Sequence, residues 1–398
     1  MDRDESQLRM NIRDLTALPE GEQQQKGYFH TLSEIRHQPA TWRDTCERMI
    51  AASPALEKTL AGIQSIVLTG SGSSQYAGEC ARLVLQKELG VTTDVVGGGT
   101  LLTHRAAVLP PQRPGLLISI ARSGDSPESV AAASQVLAAE PEFRHLVITC
   151  NQAGKLAVTY GDDPRGQVVV LDDRTNDRSL VMTSSFTNMV LASRFLGIRR
   201  EPQRYRALCG KLSRTCEAIL EQSDALARLA TAGFRRVIYL GSGSRFGAAR
   251  ESSLKMLEMT AGRVATICET YLGVRHGPLS YIHDDTLVVC FFSSDPLLRA
   301  YEADLLRELD RKRLGMAKVV VGENVPGELL RAGDLAVECP GLSEIGDENA
   351  PVLDTVVGQL LGTLRCMVEG LRPDSPSEGG VINRVVESFP LHGAGQVQ

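Results

Sequence analysis

The sequence predicts an α/β fold made of two units in tandem, each a mostly parallel sheet flanked by helices. An apolar run that ends in Gly-Ser-Gly-Ser occurs twice, as IVLTGSGSSQYAGEC from Ile66 and as VIYLGSGSRFGAARESSLKMLE from Val237. Strand-like runs alternate with helix-like stretches in the same order around each occurrence, which reads as an internal repeat. At 398 residues the chain is also too long for one ordinary core and fits two domains.

The elements follow in chain order. YFHTLSEIRHQPATWRDTCERMIA reads as helix, a break at Pro39, then helix, with Thr31 and Glu34 spaced as a capping box. SIVLTG is a strand, SSQYAGECARLVLQKEL a helix, TTDVVGGG a short strand, GLLISIA a strand, SPESVAAASQVLAAE a helix and HLVITCN a strand. Runs of Ile, Val and Leu without polar alternation suit a parallel sheet covered on both faces. RRVIYLG, RFGAARESSLKMLEMT, ATICETY, TLVVCFFS, LLRAYEADLLRELDRKRLG and AKVVVGE repeat the series. The stretch between the two series is helical in pattern and has no Gly/Ser-rich linker, so the halves are expected to pack together. The expected division is an N-terminal helical segment over 1–55, a first α/β unit over 56–205, and a second unit with a C-terminal tail over 206–398.

Hydrophobic residues make up 42% and charged residues 23%, as in ordinary globular proteins. A formal charge of -5 gives no electrostatic reason to expect nucleic acid or an anionic membrane as partner, which leaves a small molecule. The N-terminus MDRDESQLRMNIRDL has no apolar core of a signal peptide, and no stretch reaches the ~20 apolar residues of a membrane span. A cytoplasmic protein is expected. The nine cysteines are unclustered and the seven histidines lack ligand spacing, so the thiols read as reduced core residues and no metal is expected.

A strand that runs into a Gly/Ser turn and then a helix leaves backbone N–H groups and hydroxyls at the carboxyl edge of the sheet, where anions bind. The first Gly-Ser-Gly-Ser turn supplies Gly72 and Ser74. A third turn, ARSGDSP, places Ser123 and Ser126 before Pro127. Such a turn can hold a phosphate without Lys or Arg, although Ser126 is equally a plain helix N-cap. Neither copy matches a nucleotide-binding fingerprint. In GAARESSLKMLEM, Glu251, Lys255 and Glu258 fall at i, i+4 and i+7 on one helix face. A solvated face would look the same, but Leu254, Met256, Leu257 and Met259 make most of this helix apolar, and a buried carboxylate beside a lysine is a candidate acid/base pair.

Two strand–turn–helix units with these Ser-rich turns resemble the sugar isomerase (SIS) domain, a phosphosugar-binding α/β fold, over nearly the whole chain. RESSLKMLEMTAGRVATICETYLGVRHGPLSYI is similar to the isomerase half of glucosamine-6-phosphate synthase, with its E-x-x-x-K-x-x-E helix and H-G-P turn. TLSEIRHQPATW, TNDRSLVMTSSFTNM, ETYLGVRHGP and PSEGGVINRVV resemble the tagatose-6-phosphate ketose/aldose isomerases, also described as galactosamine-6-phosphate deaminase/isomerases. The resemblance implies two tandem SIS domains, no cofactor, and a homodimer or dimer of dimers. It makes Glu258 the base that moves a proton between C1 and C2, Glu251 and Lys255 its polar neighbours, and His276 the group that opens the sugar ring. Ser74, Ser123 and Ser126, with Gly72 and Arg384, then bind the phosphorylated sugar. Where the synthase has a lysine able to form a Schiff base, this chain has Arg384, which stays protonated and cannot. The expected reaction is deaminating isomerisation of galactosamine 6-phosphate to tagatose 6-phosphate and ammonia. The alternatives are isomerisation of neutral hexose 6-phosphates, and a phosphosugar-sensing module without turnover. For the deaminase, Thr183, Ser184 and Ser185 are candidates to line a wet pocket; an ordinary helix start is the competing explanation.

Overall fold

A computed structural model describes residues 12–392. The stretch through Asn11, most of the segment judged above to lack a signal peptide, lies outside the described residues. The chain divides into two compact units. Of the described residues, one unit holds those through Pro39, Arg178–Thr183 and Lys211–Val381; the other holds Ala40–Asp177, Ser184–Gly210 and 382–392.

The second of these contains β1 (Ser65–Gly70), β2 (Thr92–Gly97), β3 (Gly115–Ala121), β4 (Phe143–Thr149) and β5 (Gly166–Val170), all parallel, in the order β2-β1-β3-β4-β5. The other contains β6 (Arg236–Leu240), β7 (Ala265–Glu269), β8 (Thr286–Phe291), β9 (Ala317–Gly322) and β10 (Leu335–Glu338), again all parallel, in the order β7-β6-β8-β9-β10 read from the other end. Every residue of β1, β3, β8 and β9 is buried, as the uninterrupted apolar runs require of strands covered on both faces. Each fully buried Val, Leu or Ile contributes roughly 1.5–3 kcal/mol, so these central strands anchor each unit.

The predicted strands and their flanking helices form close to the expected bounds. Others escape the sequence pattern: the helices Gly98–Val108 and Pro351–Val368 and the strands β5 and β10. The first break falls at His37 rather than Pro39, because Pro39 sits in the first turn of the helix Gln38–Ala51, where a missing N–H costs nothing. The capping box is not formed. Thr31 lies inside the helix Phe29–Arg36 and donates its hydroxyl to Asp374 at 2.8 Å, while the Glu34 carboxylate accepts from the Arg178 N–H and from the N–H and hydroxyl of Ser179. All nine cysteines are free thiols and eight are buried, in keeping with small core residues. Among the described residues, no helix is long and apolar enough to cross a membrane.

One core residue couples the β1–β5 unit to pH. His145 on β4 is fully buried, its Nε2 lies 2.8 Å from the Ser119 hydroxyl, and its ring meets Tyr160 edge-on with centroids 4.3 Å apart. Burial pushes its pKa down to about 3 from the usual 6.5, so the folded state holds this ring neutral while the unfolded chain takes up a proton below 6.5. Stability from this group is therefore present above pH 6.5 and is lost as pH falls toward 3, at up to ~1.4 kcal/mol per pH unit. Urea unfolding of wild type and His145→Asn at several pH values should show a shallower acid slope in the variant; equal slopes would remove His145 as a cause.

Candidate active site

The helix Ser244–Met259 carries the predicted acidic–basic face. It leaves β6 through Gly241, Ser242 and Gly243, and Gly243 adopts φ 56°, ψ −128°, a left-handed conformation that favours glycine. The helix packs along Pro351–Val368, a helix buried through nearly its whole length. Two glycines allow the close approach. A Cβ at Gly358 would lie 2.2 Å from the Ser252 hydroxyl oxygen, and one at Gly362 would lie 3.0 Å from the Met259 sulfur.

On this helix Lys255 stands between two carboxylates. Its ammonium lies 3.4 Å from Glu251 and donates a hydrogen bond to Glu258. Lys255 and Glu251 are buried, whereas the Glu258 side chain keeps 23% of its surface exposed. The face is therefore a buried ion pair with one carboxylate at its solvent end, and not the solvated stripe that the spacing alone permits. Removing one member of such a pair typically costs ~3–5 kcal/mol, because the other charge is left without a partner. The arrangement holds the Glu258 carboxylate at the solvent end of the pair.

His276 ends the short helical turn Gly273–His276 and is exposed. Its backbone is set by Gly277 at φ 130°, ψ −52°, a conformation restricted to glycine, and by Arg275, whose Nε bonds Glu308 at 2.8 Å. Hydrogen bonds from Lys312 and Arg275 hold the Glu308 carboxyl down to about 2. No hydrogen bond joins His276 to Glu258.

In the β1–β5 unit, Gly72 leads into the helix Ser73–Leu89 with φ 56°, ψ −125°, and Gly70 is fixed by close approach, since a Cβ there would lie 2.6 Å from that of Ser74. Ser126 precedes the helix Pro127–Ala139 but makes no side-chain cap bond, so the plain N-cap explanation does not hold for its hydroxyl. The hydroxyls of Ser71, Ser74 and Ser126 have no hydrogen-bond partner among the described residues, and that of Ser123 accepts only the Asp125 N–H, at 3.3 Å. These turns present donors suited to an oxyanion.

Two expectations are corrected by the geometry. Ser184 and Ser185 are fully buried and bound to Asp177, which accepts both their N–H groups at 3.1 and 3.0 Å and the Ser185 hydroxyl at 2.5 Å. They form a capped helix start, and with Thr183 also fully buried, this stretch does not line a wet pocket. Arg384 is committed to a loop: its Nε donates to the Asp177 carbonyl at 2.7 Å and its Nη2 to the Asn176 side chain at 2.6 Å, while its own carbonyl accepts from Arg122. Its guanidinium anchors the tail next to the Ser123 turn instead of standing free for phosphate. Arg122, Gly358 and Gly362 were not singled out from sequence; the paired glycines four residues apart were the available signal.

Two all-parallel sheets with Gly/Ser turns at their carboxyl edges and a carboxylate–lysine helix define the SIS-type phosphosugar isomerase fold. The solved structure of tagatose-6-phosphate ketose/aldose isomerase from Escherichia coli matches with a TM-score of 0.80 and 33% identity, over 86% of this chain and 95% of that one. The D-galactosamine-6-phosphate deaminase AgaS of Escherichia coli is 35% identical over 371 residues, 91% of this chain and 95% of the relative. That of Shewanella sp. is 35% identical over 379 residues, 92% and 93% of the two chains. No family model matches. The chain belongs to the AgaS family of D-galactosamine-6-phosphate deaminases.

The helix contact carries a prediction. Gly358→Ala forces a methyl group onto Ser252 and should cost ~1–3 kcal/mol as the two helices separate. Thermal unfolding checks this; a variant as stable as wild type would show that the contact can give way freely.

Proposed function

We propose that this chain converts galactosamine 6-phosphate to tagatose 6-phosphate and ammonia. The observation that carries the proton transfer is the Glu251–Lys255–Glu258 set, in which two members are buried and the third reaches solvent. The release of ammonia rests on the family relationship.

In this mechanism the Ser74, Ser123 and Ser126 turns hold the phosphate. His276 moves a proton between the ring oxygen and O1 to open the ring; imidazole suits this because its ordinary pKa lies near neutral pH. Glu258, oriented by Lys255, removes the C2 proton of the open-chain aldose, giving an enolamine with a C1–C2 double bond. Return of the proton to C1 leaves an imine at C2. Water adds to the imine carbon, nitrogen departs as ammonia, and the 2-ketose remains. Arg384 fastens the tail beside Ser123 and takes no part in proton transfer. We read the two sheets as copies of one SIS unit, on the matching strand order and the near-identical dihedrals of Gly72 and Gly243. A cytoplasmic location fits a charged phosphosugar substrate, and a homodimer follows from the family resemblance.

The neutral-sugar isomerase reading shares the C2 proton transfer and is favoured by the name of the E. coli structure above. Product analysis separates the two. Galactosamine 6-phosphate should yield ammonia and ketose in equal amounts; rapid interconversion of neutral sugar phosphates with no ammonia from amino sugars would overturn the deaminase reading. Glu258→Gln should still bind substrate but lose exchange of the C2 hydrogen with solvent by ~100-fold or more. Near wild-type exchange would place the base elsewhere. Ser123→Ala and Ser126→Ala should each weaken phosphosugar binding by ~1.5–3 kcal/mol, measured by calorimetry; unchanged affinity in the double variant would move the phosphate away from this turn.

A further inference from the structure

The two units present corresponding turns at their sheet edges, yet the turns differ in what fills them. In the β1–β5 unit the hydroxyls of Ser71, Ser74 and Ser126 are unbonded among the described residues. In the β6–β10 unit Ser242, which corresponds to Ser71, and the Ser293 and Ser294 donors of the turn after β8 are taken by the chain's own carboxylates. Glu302 accepts the Ser242 hydroxyl at 2.7 Å, the Ser293 N–H at 2.7 Å and the Ser293 hydroxyl at 2.8 Å. Asp347 accepts the Ser294 N–H at 2.8 Å, the Ser294 hydroxyl at 3.2 Å and the Asp295 N–H at 2.9 Å.

The turns after β1 and β6 correspond position by position, and the second turns correspond through the prolines that open their helices. Gly70 and Gly241 end the first strand of each sheet, and four residues on stand Ser74 and Arg245. Arg245 is fully buried and holds Asp354 through Nε at 2.8 Å and Nη2 at 2.7 Å, with Asp347 at 3.4 Å. Six residues beyond the proline that opens the next helix, one unit has Ala133 after Pro127 and the other has Glu302 after Pro296. Both are buried, and counted from these prolines a methyl group in one unit stands at the sequence position of the carboxylate in the other.

We propose that Glu302, with Asp347, stands in for phosphate in the β6–β10 unit: this sheet edge is an oxyanion site filled by the chain itself, each chain binds one phosphosugar, and removing the Glu302 carboxylate exposes a second site for a tetrahedral oxyanion such as phosphate. The Ser293 N–H and the Ser242 and Ser293 hydroxyls converge on the Glu302 oxygens as donors would on a bound phosphate. Burial raises the Glu302 carboxyl, and its bonds to Ser293 and Ser242 and the charge of Arg245 oppose that rise. The inference takes from the functional reading only the class of ligand.

Calorimetric titration with inorganic phosphate at constant ionic strength tests it. Glu302→Ala should bind one more phosphate per chain than wild type, at least about tenfold more tightly than any second event on wild type, given the strength of bonds to a charged acceptor. The extra event should persist when Ser123→Ala and Ser126→Ala are added. Two phosphates per wild-type chain, or equal numbers on wild type and Glu302→Ala, would overturn the proposal. If Glu302→Ala folds poorly in chloride, phosphate at the same ionic strength should restore its melting temperature; failure to do so also overturns it, with Glu302→Gln, which keeps an acceptor oxygen, as the folded control. Absence of deaminase activity in wild type would sink the functional reading while leaving this difference in phosphate count intact.

Discussion

A buried ammonium group must have a partner, and that requirement governs the β6–β10 unit. Lys255 lies inside the protein on a helix pressed against a second, nearly fully buried helix, so the energy of its desolvation has to be offset locally. Glu251, one turn before it, and Glu258, one turn after it, meet that need from the same helix, which makes the pairing independent of any loop. Glycines at 358 and 362 bring the second helix close enough to exclude water from the pair. The partial exposure of Glu258 is what turns a structural ion pair into a candidate reactive group.

The second buried helix is held by polar side chains that a sequence scan finds out of place. Asp354 bonds Arg245, Gln359 receives the Gln38 amide at 2.8 Å and donates to the Thr183 carbonyl at 3.0 Å, and Arg365 caps the carbonyls of Ala230, Ala232 and Phe234 while its guanidinium rests 4.2 Å from the Phe234 ring centre. Each fixes the helix to a different neighbouring segment of the same unit. The helix Ser244–Met259 is thus aligned by directional bonds as well as by packing.

The central strands were legible because a parallel strand covered on both faces leaves an unbroken apolar run, and the helices after β1, β3 and β6 because a Gly/Ser turn or a proline marks their starts. The helix Pro351–Val368 was not read from sequence: burial runs round nearly its whole length, so polar residues such as Asp354, Gln359 and Arg365 stand inside the protein among its apolar ones. β10 is four residues long and β5 lies at a sheet edge with mostly half-buried residues, which leaves little pattern. Thr31 and Glu34 had the spacing of a cap, but tertiary partners 144 residues or more away in sequence claimed both side chains. Of the site, the helical face followed directly from i, i+4, i+7 spacing, while the roles of Arg384 and Ser185 depended on which loop each meets, information that local spacing does not contain.

The matching dihedrals of Gly72 and Gly243 bear on how such a chain can diverge. A carboxylate fastened to the polypeptide presents itself to its turn at an effective concentration far above that of any free metabolite, since the cost of bringing it there has already been met by folding. On the proposal above, a side chain such as Glu302 competes for its turn at that advantage over any free substrate, and the fold comes to depend on the backbone shape of the turn. Binding and folding would thereby exchange roles in one half of the molecule, with the ligand kept by the other.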